Sequence, residues 1–150
     1  MTAQEMIRRF NLEPHVEGGA FRKLYIPAEK PAQRPPHGVI YYLLDETDTS
    51  DFHVLDADEY WLYHAGPDIE IWWIDASGGL HIELLGLSEK AEPCVLMPGG
   101  TVFGARHVDG QIGATLVSCV TVPEFTYEKY RILPRDEVLN LCPAAEKFFR

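Results

Sequence analysis

From Val39 to Val122 the chain is cut into short β-branched and aromatic segments by glycine, proline and aspartate. Val39–Leu44, Phe52–Leu55, Glu59–His64, Ile69–Ile74, Leu80–Leu85, Cys94–Met97, Thr101–Arg106 and Ala114–Val122 each read as a strand. Asp75-Ala76-Ser77-Gly78-Gly79 between two of them is a hairpin signal. Strands spaced this closely predict an all-β barrel or sandwich. They do not alternate with long helices, so a parallel α/β sheet is not expected. A jelly roll suits the pattern, because it closes a small β-domain around a cavity and limits exposed edges.

The two ends read differently. Thr2 can cap a helix running to Leu12, with Glu5 completing a capping box and Met6, Ile7 and Phe10 on one face. Pro14 ends it, and Pro27, Pro31, Pro35 and Pro36 mark an irregular stretch. Arg135–Arg150 is helical in composition and interrupted at Pro143. A length of 150 residues predicts one domain, 1–150.

Composition narrows the function classes. Thirteen basic residues against 23 acidic ones give a net charge of −10. That argues against nucleic-acid binding, which needs a basic patch, and against an anionic membrane face. No apolar run reaches the roughly 18 residues of a membrane span. Met1 to Phe10 lacks a signal-peptide pattern. Cys94, Cys119 and Cys142 fit neither a disulfide framework nor a paired zinc motif, so a reduced, cytoplasmic setting is expected. Between Arg34 and Lys90 there are twelve Asp and Glu and no Lys or Arg; seven of the twelve lie between Asp45 and Glu59. Most fit a solvated acidic loop, and some fit a site for a metal or a cationic ligand.

Three clusters carry candidate chemistry. In the first, His53, Leu55, Glu59, Trp61 and Tyr63 share odd parity, hence one face if register survives the bend near Asp56. An imidazole and a carboxylate so placed could bind a divalent metal or work as an acid–base pair, with Trp61 and Tyr63 lining a cavity. A satisfied core histidine beside an exposed glutamate fits the same spacing. In the second, Pro98-Gly99-Gly100 turns the chain into a strand on which Phe103 and His107 could face that cavity. A plain hairpin with a surface histidine fits equally. In the third, Gly18 and Gly19 permit close backbone approach between Glu17 and Phe21-Arg22. Glu17, Phe21 and Arg22 look like recognition groups for a polar small molecule, Arg22 through bidentate contacts. A glycine-kinked edge strand with solvated charges is the alternative.

Four strings, in order, carry a resemblance: Glu17-Gly18-Gly19-Ala20-Phe21-Arg22; Asp58-Glu59-Tyr60-Trp61 with Gly66 after it; Pro98-Gly99-Gly100-Thr101; and Val117 to Val122 followed by Pro123-Glu124-Phe125. Together they resemble a small group of RmlC-like cupins catalogued as a domain of unknown function. The resemblance implies a double-stranded β-helix (jelly-roll) cupin barrel over about 15–133, with a short N-terminal helix and a C-terminal helical segment. In the general cupin metal pattern, Glu59 and Gly66 match, and His53 fills the first histidine position. Leu55 and Phe103 stand where two other histidines belong, and His107 stands where an asparagine is common. A divalent metal, if bound, would fall to His53, Glu59 and His107. Similarity to the sugar-nucleotide epimerases of this superfamily implies His53 as base, Tyr63 as acid, and Glu17, Phe21 and Arg22 as a substrate-clamping strand.

The reading is therefore an isomerase, epimerase or lyase acting on a sugar-like or oxo-acid ligand in the barrel. His53, Tyr63 and Glu59 would be catalytic, and Glu17, Phe21, Arg22, Trp61 and Phe103 would bind the ligand. A non-catalytic binding module and a metal-dependent oxygenase or lyase are the alternatives, and no cofactor is required by the first reading. Trp72 and Trp73 on opposite faces of one strand suggest that one face is core and the other a subunit contact. The resemblance likewise implies a homodimer.

Overall fold

A computed structural model describes residues 1–28 and 32–149. Pro31 of the proline stretch lies outside the described residues, as does Arg150. Helix α1 (Ala3–Phe10) carries the expected capping box: Thr2 Oγ1 accepts from the Glu5 amide and the Glu5 carboxylate accepts from the Thr2 amide. It stops at Asn11, in the left-handed region at φ 51°, before Pro14 rather than at it.

Among the described residues eleven strands follow: β1 (Glu13–Pro14), β2 (Ala20–Lys23), β3 (Gly38–Asp45), β4 (Thr49–Leu55), β5 (Asp58–Ala65), β6 (Ile69–Ile74), β7 (Leu80–Leu85), β8 (Cys94–Met97), β9 (Val102–His107), β10 (Ala114–Val122) and β11 (Tyr130–Ile132). They form two sheets, ordered β1-β2-β3-β10-β5-β8 and β11-β4-β9-β6-β7, with every strand pairing antiparallel. This is the expected all-β jelly roll. Helix α2 (Arg135–Leu141) and a 3-10 turn over Pro143–Phe149 complete the chain, parted near Pro143 as its missing amide requires. No described helix is long and apolar enough to cross a membrane.

Alternation along the strands builds three apolar layers. Tyr42, Leu44, Trp61, Ile69, Ile71, Phe103 and Val117 fill the space between the sheets. Met6 of α1 packs with Leu43 and Leu116 on the outer side of the first sheet. Phe52, Trp72, Val138 and Phe148 form a third layer on the outer side of the second sheet. The subunit contact expected from the tryptophan pair is therefore not free at β6. Trp72 is buried under the chain's own C-terminal segment, its ring 5.8 Å from that of Phe148. Trp73 packs on the intersheet core and stacks on His81 at 4.1 Å.

Two local features position the site. At Asp56-Ala57 the chain leaves the second sheet at the end of β4 and enters the first as β5. Inward side chains of the two strands consequently face each other across the barrel. At Gly18 (φ 108°) the backbone lies so close to β4 that a Cβ there would sit 1.9 Å from the Thr49 carbonyl oxygen. The Asp51 amide donates to the Glu17 carbonyl at 2.9 Å, and Tyr42 Oη donates to the Gly18 carbonyl at 2.7 Å. Glycine is what allows this approach, and the approach hangs Glu17 over β4.

Candidate active site

A cavity of about 330 Å³ opens between the two sheets, bounded by β1–β5, β10, β11 and the segment between the last two strands. Its polar centre is His53 on β4, 2% exposed. The Nδ1 atom lies 2.7 Å from the Asp51 carbonyl oxygen and 3.5 Å from Glu17 Oε2. The Nε2 atom is 4.0 Å from Glu59 Oε2, on the facing sheet. An acceptor at Nδ1 fixes the proton there, so Nε2 is the nitrogen left for the cavity. Phe103, its cross-strand partner, packs against the imidazole at 4.3 Å between centroids.

Burial works against a charge on this ring, but the Glu17 and Glu59 carboxylates and the Asp51 carbonyl outweigh it. The His53 pKa rises from 6.5 to about 9. His53 is thus an imidazolium at neutral pH, flanked by two carboxylates. As such it is an acid or a hydrogen-bond donor.

Glu17 is held by two hydrogen bonds. Its Oε1 accepts from Ser50 Oγ at 2.9 Å, and its Oε2 accepts from Tyr130 Oη at 2.7 Å. His15 Nδ1 lies 3.8 Å from Oε1, and burial lowers the His15 pKa, so this second imidazole is the neutral one. Burial and the Glu17 charge push the Tyr130 phenol up, fixing it as a donor. Glu59 contrasts with Glu17. It is only 8% exposed and lines the cavity, and its charged neighbour is His53 Nε2 at 4.0 Å rather than a close donor such as those that hold Glu17. Cys119 also reaches the cavity, but burial and the two glutamates hold its thiol well above its usual range, so it is no nucleophile. Lys23 and Glu124 pair at 2.6 Å at the cavity wall.

The structure brings together His53, Glu59, Glu17 and Phe21 of the expected set. It does not bring the others. Tyr63 lies off the cavity lining and donates its hydroxyl to the Gly66 carbonyl at 2.6 Å. Trp61 is core, edge-on to Tyr42 at 5.5 Å. Arg22 lies over the Tyr41 ring at 5.4 Å, outside the cavity lining, and Phe103 serves as a platform under His53. His107 turns Nε2 to the Leu44 carbonyl at 3.1 Å and does not line the cavity. Among the described residues no three His, Cys, Asp or Glu side chains converge to hold a metal ion. The set His53, Glu59 and His107 does not fit one, because His107 is turned away from the other two. The residues missed by the sequence reading are Tyr130, Phe125 and Tyr127, which line the cavity beyond β10. Their signal was three aromatic residues within six positions, too short a run for strand periodicity.

Comparison with known proteins agrees with this architecture. Over 98% of its length the chain matches a Shewanella oneidensis protein of known crystal structure, covering 94% of that chain at 33% identity and a TM-score of 0.89. A hypothetical protein from Leishmania major matches 97% of this chain and is covered to 95%, at 30% identity and a TM-score of 0.85. A variant of Bacillus subtilis oxalate decarboxylase shares the fold alone, at 12% identity and a TM-score of 0.63 over 89% of this chain and 32% of that one. No curated protein matches the sequence. The family model described as cupin superfamily (DUF985) matches residues 4–133, the helix and the whole barrel, and to that family this chain belongs.

Proposed function

We propose that the cavity is the active site of an isomerase or epimerase that moves a proton next to a carbonyl of a sugar-like substrate. The supporting observation is a buried imidazolium set between two carboxylates on a cavity large enough for a small molecule. Glu59 takes the proton from the carbon beside the carbonyl. His53 Nε2–H donates to the carbonyl oxygen as negative charge gathers there. Glu59 then returns the proton to the neighbouring carbon for isomerisation, while His53 gives a proton to one oxygen and takes one from the other; for epimerisation the planar intermediate instead takes a proton from water on its opposite face, and Glu59 releases its own to solvent. Glu17, braced by Ser50 and Tyr130, keeps His53 charged and oriented. A sugar suits the cavity better than an oxo-acid, because among the described lining residues Lys23 is paired with Glu124 and the charge of His53 is already balanced by Glu17 and Glu59.

The test is deuterium uptake from heavy water into a panel of keto-sugars and oxo-acids, followed by NMR. Wild-type protein should label the carbon beside the carbonyl, and Glu59→Gln should slow labelling by about 10²–10⁴-fold. If wild type stabilises against heat with a panel member yet labels none, the cavity is a binding module. The apolar lining from Phe21, Val39, Ile40 and Leu55 favours that second reading.

A homodimer remains part of the proposal, through the outer side of the first sheet. Tyr60 and Leu96 are cross-strand partners there, 37% and 40% exposed, with Val122 nearby on the next strand. Light scattering should give a mass near twice 17.0 kDa, and Tyr60→Glu should halve it; a wild-type monomer would refute the dimer.

A further inference from the structure

The segment after β10 places three aromatic rings on the cavity lining. Phe125 and Tyr127 stand 4.9 Å apart at 86°, Phe125 and Tyr130 5.0 Å apart at 65°, and Tyr127 and Tyr130 6.1 Å apart at 82°. Three rings mutually near-perpendicular are the walls of a box corner, and ring faces so arranged carry negative potential.

The charge around the corner points the same way. Glu13, Glu17, Glu59 and Glu124 line the cavity against two cations, Lys23 and charged His53. Lys23 is spent on Glu124 at 2.6 Å. Glu59 is more than nine-tenths buried, and its nearest charged partner is His53 at 4.0 Å. The cavity therefore keeps an excess of carboxylates over cations, which favours a positively charged ligand.

Resting on the reading of this cavity as a ligand site, we infer that its ligand carries a cationic amine, whose ammonium seats in the corner formed by Phe125, Tyr127 and Tyr130. The polar remainder of the molecule then points inward to Glu59 and His53. The substrate class sharpens from sugar-like to amine-bearing and hydroxylated, such as an amino sugar, and anionic oxo-acids are excluded by the cavity's own charge.

The experiment compares three probes of nearly one size and shape by NMR titration: tetramethylammonium, tert-butanol and pivalate. Tetramethylammonium should shift the signals of Phe125, Tyr127 and Tyr130 and bind about tenfold more tightly than tert-butanol, with pivalate weaker than both. Tyr127→Leu, at a half-exposed position that tolerates the change, should abolish the preference for the cation. Equal binding of cation and neutral probe, tighter binding of pivalate, or no binding of any probe overturns the inference. So does a preference that survives Tyr127→Leu. None of these outcomes touches the deuterium-uptake result, which uses no amine, so the two proposals fail separately.

Discussion

Phe52 and His53 are neighbours on β4 that face opposite worlds. Phe52, fully buried, points outward into a layer made with Trp72, Leu133, Val138 and Phe148. His53 points inward to two glutamates and a cavity. The outer layer is apolar and well packed, and its burial stabilises the fold at about 25 cal/mol for each Å² removed from water. The inner cluster desolvates three charges and recovers that cost through their mutual attraction and the hydrogen bonds from Ser50 and Tyr130 and to the Asp51 carbonyl. One strand thus separates the part of the molecule that holds it together from the part that is strained for chemistry.

Three changes would sharpen or break this contrast. The largest effect is expected on the outer face. Phe148→Ala removes a ring 4.6 Å from Phe52 and should cost about 3–5 kcal/mol in urea unfolding. Affinity for cavity ligands should stay unchanged; a tenfold loss would mean that the two faces are not independent. The next is pH. The His53 pKa is raised in the folded state, so its stabilisation is complete below the unfolded value near 6.5 and is lost as pH rises through about 9. Stability should fall across that window by at most roughly 3 kcal/mol, and the slope should vanish in His53→Gln. Deuterium uptake should hold until pH approaches about 9 and fall beyond it, as the imidazolium donor is lost. The smallest is Tyr130→Phe, which deletes the donor to Glu17 while keeping the ring. It should cost about 1–2 kcal/mol and leave cation binding in the aromatic corner intact. A neutral result would show that Ser50 alone holds Glu17.

The sequence made the face of each inward residue legible but not its depth. Odd parity correctly groups Glu59, Trp61 and Tyr63 on the interior side of β5, because side chains alternate. Parity carries no information about position along the barrel. At about 3.3 Å per residue, Tyr63 stands about 13 Å from Glu59, beyond the reach of a shared ligand. Glu17 was legible because paired glycines demand a backbone reason, and the close pass against Thr49 supplies it. The bend at Asp56 was legible as a bend, whereas its role as the crossing between sheets depends on tertiary pairing. Tyr130 was hidden because β11 has three residues and takes its register from Leu55, Val54 and His53 of β4. The burial of Trp72 was hidden for a related reason: nothing local says that the chain's own tail will cover that side.

The close pass at Gly18 has a wider consequence. The lever that keeps His53 charged is anchored by main chain seated on main chain, with no room for even a methyl group between them. The tuning of the pocket is therefore a matter of mechanical clearance as much as of charge. A single hydrogen atom on one α-carbon governs how near the negative pole can be brought to the ring, and through it the acidity on which the proposed reaction turns.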